Sequence, residues 1–456
     1  MTSQDSLDLA RVFMAQQQGY VSTSSSAQTL IMDNGGDTIK IGLAPSSLNE
    51  VFDQAREVKR PLIIPNMIAK QKASSATSGS MFIGDQLESD CECFASLLFR
   101  RPIERGYVVD CETQAIIWDY IFKTHFSSLS ISETRLFLSH QPFTPKTIQK
   151  DLCQLIFEYF GFKEYASISS QYLSFFGYIN EISDEKSPLY SLDTTNPVKI
   201  SKSALVVDSG FSFSHIYPII NSLPMKAGIQ RIDIGGKLLT NYLKEVVSNR
   251  YYDMMEETYL MNLVKERLCY VSKNFLKDLH AASFSDSPLF QSYVLPDYRH
   301  SKTGYLLDTS DASSIDPELQ ILTLNNERIA IPELLFNPSD IGLNQAGIAE
   351  TCARTILTNI KSPVEQSILF DTILVTGGNS KFKNFKERLL QEIRPFCPQE
   401  VKSVTVLESK NPITLCWRGA SAFSFYQKRQ LDQCTVKKEE YEEVGFELCE
   451  DRFKQS

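Results

Sequence analysis

Two segments of this chain, far apart in sequence, place a carboxylate and glycines at the end of an apolar run. The first is Ile31-Met32-Asp33-Asn34-Gly35-Gly36-Asp37, continued by Thr38-Ile39-Lys40-Ile41-Gly42. The second is Leu205-Val206-Val207-Asp208-Ser209-Gly210, continued by Phe211-Ser212-Phe213-Ser214-His215-Ile216. Glycine admits backbone angles that a side chain forbids, so that amide N–H groups can approach a phosphate closely. An aspartate at a strand end can hold the water around Mg²⁺, which prefers a few carboxylates plus solvent. One Asp-x-Gly hairpin is usually an ordinary turn. Two of them, followed by Thr376-Gly377-Gly378-Asn379 after the apolar run Thr372–Val375, form a constellation able to grip a nucleotide between two halves of a molecule.

Such loops need strands behind them and helices to cover the strands. Apolar residues at helical spacing predict a helix from Cys111 to Phe122 and a second from Asp151 to Phe160. Ile234-Gly235-Gly236 leads into a helix over Lys237–Val247; another helical pattern runs from Leu260 to Leu279, and a strand–helix unit from Phe370 to Glu392. Alternating strands and helices with duplicated hairpins indicate an α/β protein of two similar halves. Between these elements lie the polar start of the chain with Gln16-Gln17-Gln18, the Ser- and Ala-rich stretch 73–80, the charged excursion 183–196 and the irregular region 298–320. The charge run Lys437–Glu443 reads as a solvated terminal helix.

Bulk properties narrow the function further. At 456 residues the chain exceeds one ordinary core, so at least two lobes are expected. A net charge of −9, from 46 basic and 55 acidic residues, argues against a protein whose main business is coating nucleic acid. The ten cysteines lack a disulfide framework or a Cys-x-x-Cys pair, and with five histidines no structural metal site is expected. No stretch reads as a membrane span or signal core, and the expectation is a reducing compartment.

Several stretches resemble the actin superfamily, from about Leu30 to the C-terminus. They are Phe82-Ile83-Gly84-Asp85, Arg101-Pro102-Ile103-Glu104-Arg105-Gly106, Leu263-Val264-Lys265-Glu266-Arg267-Leu268-Cys269-Tyr270-Val271, Tyr293–Asp297 and Phe336–Ser339. Trp118-Asp119-Tyr120, Tyr251–Thr258 and Glu439–Glu443 are similar to a nuclear class of actin-related proteins, subunits of the Swr-type complex that exchanges a variant of histone 2A into nucleosomes. The resemblance implies an actin-like ATPase fold, two similar RNase H-like lobes around a central nucleotide cleft. It divides the chain into a disordered or partner-docking tail (1–28), a first lobe (29–182), an inserted loop (183–200), a second lobe (201–425) with an insertion at 298–320, and a C-terminal helical segment (426–456) packing back on the first lobe.

Carried over residue by residue, the pattern assigns Asp33 and Asp208 to hydrated Mg²⁺. Asn34, Gly35 and Gly36 supply backbone donors to the outer phosphates, Lys40 a cation, and the second loop adds Ser209 and Gly210. Gly236 begins the ribose side, Lys265 and Glu266 flank base and ribose, and Gly377-Gly378 form the turn beneath the α-phosphate. ATP or ADP with Mg²⁺ is the implied cofactor. The departures from actin matter as much. Gly36 and Asp37 stand where actin has serine then glycine, losing a hydroxyl and adding a charge, and Phe211 and Ser212 replace aspartate and glycine. The family's water-positioning glutamine falls near Ser170; Gln171 is adjacent, and one residue along a helix rotates a side chain by about 100°. His215 matches the second water-organising position. The expectation is a nucleotide binder with slow or absent turnover and no catalytic residue.

The resemblance also implies a nuclear location, with the cytoplasm open, and a structural adaptor subunit rather than a polymerising ATPase. Its implied partners are the scaffold ATPase subunit of the remodelling complex and a zinc-finger HIT-type subunit. Nucleosomes or histones would be met indirectly. The docking candidates are 1–28, 183–196 and 298–320, the last carrying Tyr298, Arg299, His300, Lys302 and Tyr305. Lys381, Lys383 and Lys386 are compatible with weak DNA contact, though such lysines are more often a solvated helix face. Neither a membrane nor a homopolymer is expected.

Overall fold

The run Gln28–Asn34 buries Leu30, Ile31 and Met32 in succession, the mark of a strand covered on both faces rather than one. It lies inside a six-stranded sheet ordered Thr435–Lys437, Glu164–Ser169, Thr134–His140, Gln28–Asn34, Thr38–Leu43, Leu62–Pro65. Gln28–Asn34 pairs antiparallel with its hairpin partner, setting Asp33 opposite Lys40, and parallel with Thr134–His140, setting Met32 opposite Leu138. The second sheet repeats the plan. Its order is Leu223–Pro224, Ser214–Ile220, Ala204–Ser209, Ile373–Thr376, Val406–Glu408, with Gln230–Ile232 also paired to Ser214–Ile220. Asp208 lies opposite His215 on the antiparallel side and Thr376 on the parallel side. Both aspartates therefore stand at the carboxyl ends of central parallel strands, where open α/β sheets take ligands. These relations come from a computed structural model that describes residues 27–46, 60–71, 80–94, 97–183, 201–298, 301–307 and 319–454.

Each sheet has its own apolar core. In the first lobe Trp118, Ile121 and Phe122 of the helix Cys111–His125 pack with Leu136, Phe157 and Phe162. In the second, Leu239 and Leu243 of Gly236–Arg250 and Ile356 of Ile348–Asn359 pack with Val207, Val375 and Phe385. The chain leaves the first sheet through the helix Ser170–Ser183 and returns through Leu415–Tyr426. These two helices cross backbone against backbone. A Cβ on Gly177 would stand 2.6 Å from the Leu415 carbonyl oxygen, and one on Gly419 1.8 Å from that of Leu173. Glu181 braces the crossing by accepting from Ser409 Oγ at 2.7 Å and the Lys410 amide at 2.8 Å.

Two regions differ from the sequence expectation. The helical pattern Leu260–Leu279 is two helices, Thr258–Leu268 and Phe275–Ala281. Tertiary bonds claim the backbone between them: the Tyr270 amide donates to the Arg328 carbonyl, the Val271 amide to that of Lys383, and Arg388 to the Ser272 carbonyl. Arg388 also makes a bidentate ion pair with Glu333, at 2.7 and 3.0 Å, with both side chains buried. The C-terminal segment is not wholly helical or wholly solvated. Thr435–Lys437 extends the first sheet along Glu164–Ala166, and the helices Lys438–Val444 and Phe446–Phe453 follow. In the charge run, Tyr441 is buried, stacks on Phe157 at 4.7 Å and donates to Glu158 at 2.8 Å.

Nearly all of 1–28, the 73–79 stretch, the excursion 183–196 beyond Ser183, and 308–318 of the insertion lie outside the described residues. Of the insertion's interface candidates, Arg299 and His300 also lie outside them. Lys302 donates to the Cys91 carbonyl at 3.0 Å, and Tyr305 belongs to a short strand paired with Tyr293–Val294. Among the described residues no helix is long and apolar enough to cross a membrane.

Candidate functional site

The ends of the two sheets enclose a cleft of about 300 Å³. Asp33, Asn34, Gly35, Gly36, Lys40, Asp208, Gly210, Gly236, Lys265, Glu266, Gly377 and Gly378 all line it, drawn together from both lobes. Ser209 stands apart. It is fully buried behind its loop, hydrogen-bonded to Ser214 Oγ at 2.8 Å and to Asn379 Nδ2 at 3.1 Å. Its hydroxyl anchors the second loop instead of facing the cleft.

In the first loop the side chain of Asn34 is turned away, into a polar cluster behind the strand end. It donates to Gln114 Oε1 at 2.9 Å and accepts from Trp118 Nε1 at 3.3 Å. What this loop offers the cleft is backbone, the carboxylate of Asp33 and the ammonium of Lys40. Ser139 Oγ fixes the carboxylate by donating to Asp33 Oδ1 at 2.7 Å. In the second loop the Gly236 and Lys237 amides, at the start of their helix, donate to the Gly210 and Phe211 carbonyls. Gly377, with φ of +87°, tucks beneath; a Cβ there would lie 2.2 Å from the Ser209 carbonyl oxygen. The positive φ and the close approach both demand glycine.

The extra charge of Asp37 has a partner. Arg101 pairs with its carboxylate at 3.0 Å, donates to the Gly36 and Asp37 carbonyls, and lies 4.7 Å above the ring of Phe211. Two of the four departures flagged in the loops, Asp37 and Phe211, are thus bridged by one guanidinium across the cleft mouth. The seam continues below. Arg231 stacks on Phe213 and Tyr107 and donates to the Tyr107 hydroxyl and the Arg105 carbonyl. Lys237 pairs with Glu104 at 2.6 Å. Gly106, with φ of +80°, lies flat against Phe213: a Cβ there would be 1.7 Å from the ring.

Gln171 is the residue whose orientation the sequence misjudged. The strand Glu164–Ser169 passes straight into the helix at Ser170, and this tight entry turns Gln171 inward. It is fully buried, and its amide donates to Asp208 Oδ2 at 2.8 Å and Gln141 Oε1 at 3.0 Å. The same nitrogen is 3.3 Å from His215 Nδ1. A carboxylate can only accept, which settles the orientation of the amide. Burial, opposed by the Gln171 hydrogen bond and reinforced by the charge of Asp33, pushes the Asp208 carboxyl up to about 6. Burial pushes His215 down to about 3, so the ring is neutral. Gln171 Oε1 and His215 Nε2 are buried without a partner among the described residues.

Lys265 is also buried, and all three of its donors are engaged: the Gly236 carbonyl at 3.2 Å, Thr240 Oγ1 at 2.9 Å and Asn262 Oδ1 at 2.8 Å. It shapes the wall beside Gly236 and has no donor left over, whereas Glu266 is exposed at the rim. Lys381, one of the lysines considered for DNA, belongs to the cleft lining, and Lys386 faces Glu408 at 3.5 Å. The arrangement fits a Mg²⁺-bound polyphosphate. Two carboxylates and a lysine converge on a cleft, glycines keep its walls thin, and two orphaned buried polar atoms are of the kind that hold water.

The sequence pattern described as Actin matches residues 24–454. The chain is 35% identical over 447 residues to the actin-like protein arp6 of Aspergillus fumigatus, covering 92% of this chain and 93% of the relative. It is 33% identical over 448 residues to actin-related protein 6 of Arabidopsis thaliana, covering 93% and 99%. With actin-related protein 6 of Drosophila melanogaster it shares 29% identity over 420 residues, covering 92% and 98%.

Proposed function

The chain belongs to the actin family, and on that premise we propose that it is a nuclear actin-related protein acting as a structural subunit of an ATP-dependent chromatin-remodelling complex that exchanges a histone 2A variant. It holds ATP or ADP with Mg²⁺ as a clamp between its lobes, with little or no turnover. The observation that carries the clamp reading is the opposition of two Asp-x-Gly loops, one from each lobe, joined by contacts that cross between the lobes. The adaptor reading rests on the similarity to relatives named actin-related protein 6 over most of their length.

A bound Mg²⁺ would neutralise charge on the phosphates and on the carboxylates that face them. Asp33 and Asp208 would orient its water shell, both carboxylates being held by donors from the first lobe, Ser139 and Gln171. Lys40 would add a cation, and the backbone of Gly35, Gly36 and Gly210, which lines the cleft, would face the phosphates. Gln171 Oε1 and neutral His215 Nε2 can hold a water, yet Gln171 commits its amide to Asp208 and His215 is walled by Phe213, whose ring lies 4.3 Å away. That combination suits retention of nucleotide better than its consumption. A ligand at a hundred times its dissociation constant stabilises the folded state by about 2.7 kcal/mol.

The partners proposed are the scaffold ATPase subunit and a zinc-finger HIT-type subunit, with nucleosomes met indirectly. The test is affinity purification of the tagged chain from nuclear extract with mass spectrometry of stoichiometric partners. Recovery of a Swi/Snf-type motor and a zinc-finger HIT protein supports the adaptor. Recovery of the chain alone, or pelleting as a polymer with MgATP, refutes it.

A further inference from the structure

We propose that Ser212 supplies, from the second lobe, the hydroxyl that reads the terminal phosphate of a nucleoside triphosphate, and that Gly36 is glycine to make room for it. The inference rests on the nucleotide-clamp reading and specifies which residue distinguishes triphosphate from diphosphate.

A Cβ built on Gly36 would lie 2.6 Å from Ser212 Oγ, nearer than any real contact, with Ile103 and Phe211 next at 3.4 Å. Ser212 Oγ therefore stands about where a side chain on residue 36 would begin. Both residues line the cleft with Asp33, Lys40 and Asp208, and Ser212 Oγ makes no hydrogen bond to any described residue. A half-exposed hydroxyl, turned toward a loop of bare backbone at the mouth of a polyphosphate cleft, is a donor without an assigned acceptor. The loop departures from actin then read as an exchange: glycine replaces serine on the first loop, and serine replaces glycine on the second. Arg101 fixes the gap the hydroxyl must span. It binds the Gly36 and Asp37 carbonyls on one side and stacks on Phe211, next to Ser212, on the other. Moving the donor to the other lobe has a consequence. A terminal phosphate would be grasped by both lobes at once, so triphosphate and diphosphate would differ in how firmly they hold the lobes together.

The test uses the full-length chain and measures the affinity of MgATP and MgADP by calorimetry. A hydrogen bond to a charged acceptor corresponds to roughly ten- to a hundred-fold in affinity. Ser212→Ala is expected to weaken MgATP by about ten-fold or more and to leave MgADP within two-fold. The exchange pair Gly36→Ser with Ser212→Gly returns the ATP-to-ADP ratio to within about three-fold of the parent. Equal weakening of both nucleotides by Ser212→Ala marks a merely structural loop residue and overturns the inference. So does an unchanged ratio, or an exchange pair no better than the single change. Failure of the parent chain to bind either nucleotide would instead remove the clamp reading and this inference with it.

Discussion

Gly106→Ala isolates the closed arrangement of the lobes. The added methyl acts twice. It places a side chain at φ of +80°, which costs about 1–2 kcal/mol for an L-residue. It also drives a carbon to within 1.7 Å of the Phe213 ring. That ring has nowhere to go, being held between Arg231 at 4.7 Å and His215 at 4.3 Å. Overpacking of this kind costs about 1–3 kcal/mol. The backbone cost falls on the loop whether or not the lobes meet, whereas the clash falls only on the closed state, because Phe213 belongs to the other lobe. The variant should therefore weaken nucleotide by roughly five- to 150-fold, the overpacking cost converted at about 1.36 kcal/mol per decade. Gly342→Ala is the control, with φ of +76° and nothing within 4 Å of its Cβ. It should lower the melting temperature of the nucleotide-free protein by a few degrees and leave affinity unchanged. Calorimetric titration with MgADP and thermal melts of both variants decide the matter. A Gly106→Ala protein that melts as the control does, yet binds MgADP within two-fold of the parent, would show that closure of this seam is not coupled to the ligand.

Asp33→Ala and chelation of Mg²⁺ should each remove most of the nucleotide-dependent rise in melting temperature, about 2.7 kcal/mol at a hundred-fold excess over the dissociation constant; a melt insensitive to both would refute the clamp. Glu333→Ala strips the buried guanidinium of Arg388 of its bidentate partner, leaving it Glu392 and the Ser272 carbonyl, and should destabilise the second lobe by about 1.5–3 kcal/mol in urea unfolding, more than loss of the exposed pair Lys123–Asp119. His215 is held neutral when folded, with its value depressed to about 3 against about 6.5 when unfolded, so the unfolded chain binds the extra proton as pH falls. Its contribution is fully present above pH 6.5 and declines toward pH 3, by about 2 kcal/mol already at pH 5. His215→Gln should flatten the pH dependence of urea unfolding by that amount, and an unaltered slope would show that the imidazole is not the titrating group.

The duplicated hairpins were legible because their signal is local: an apolar strand, a carboxylate, glycine, and a second strand within a dozen residues. Asp33, Asp208 and the glycines of Gly377-Gly378 needed only that pattern to be assembled into one cleft. Ser209 illustrates the limit. Its neighbours face the cleft, but strand alternation sends its side chain to the opposite side, where Asn379 holds it. Gln171 was legible as a residue and misjudged in direction, since the angle at which a strand enters a helix is set by packing that no periodicity records. Arg101 stood in a stretch that carries the family resemblance, but its bridging role carried no signal, because the charge and the ring it joins lie 64 and 110 positions away in different lobes. The break after Leu268 was hidden for the same reason. The bonds that extend residues 270–272 come from Arg328, Lys383 and Arg388, and an isolated reading of helical spacing does not see them.

The crossing of Ser170–Ser183 with Leu415–Tyr426 gives the molecule its mechanics. With Gly177 and Gly419 in contact there is no layer of side chains between the helices, so a motion of one lobe against the other would turn about this contact more readily than slide along it. The crossing would then act as a fulcrum, with the loops that meet at Arg101 and Phe211 on one arm of the lever. Torque applied to the outer surface of either lobe would reach the cleft mouth as a change of aperture. An assembly gripping both lobes would thus tune nucleotide exchange without touching the nucleotide, and the nucleotide in turn would stiffen the grip.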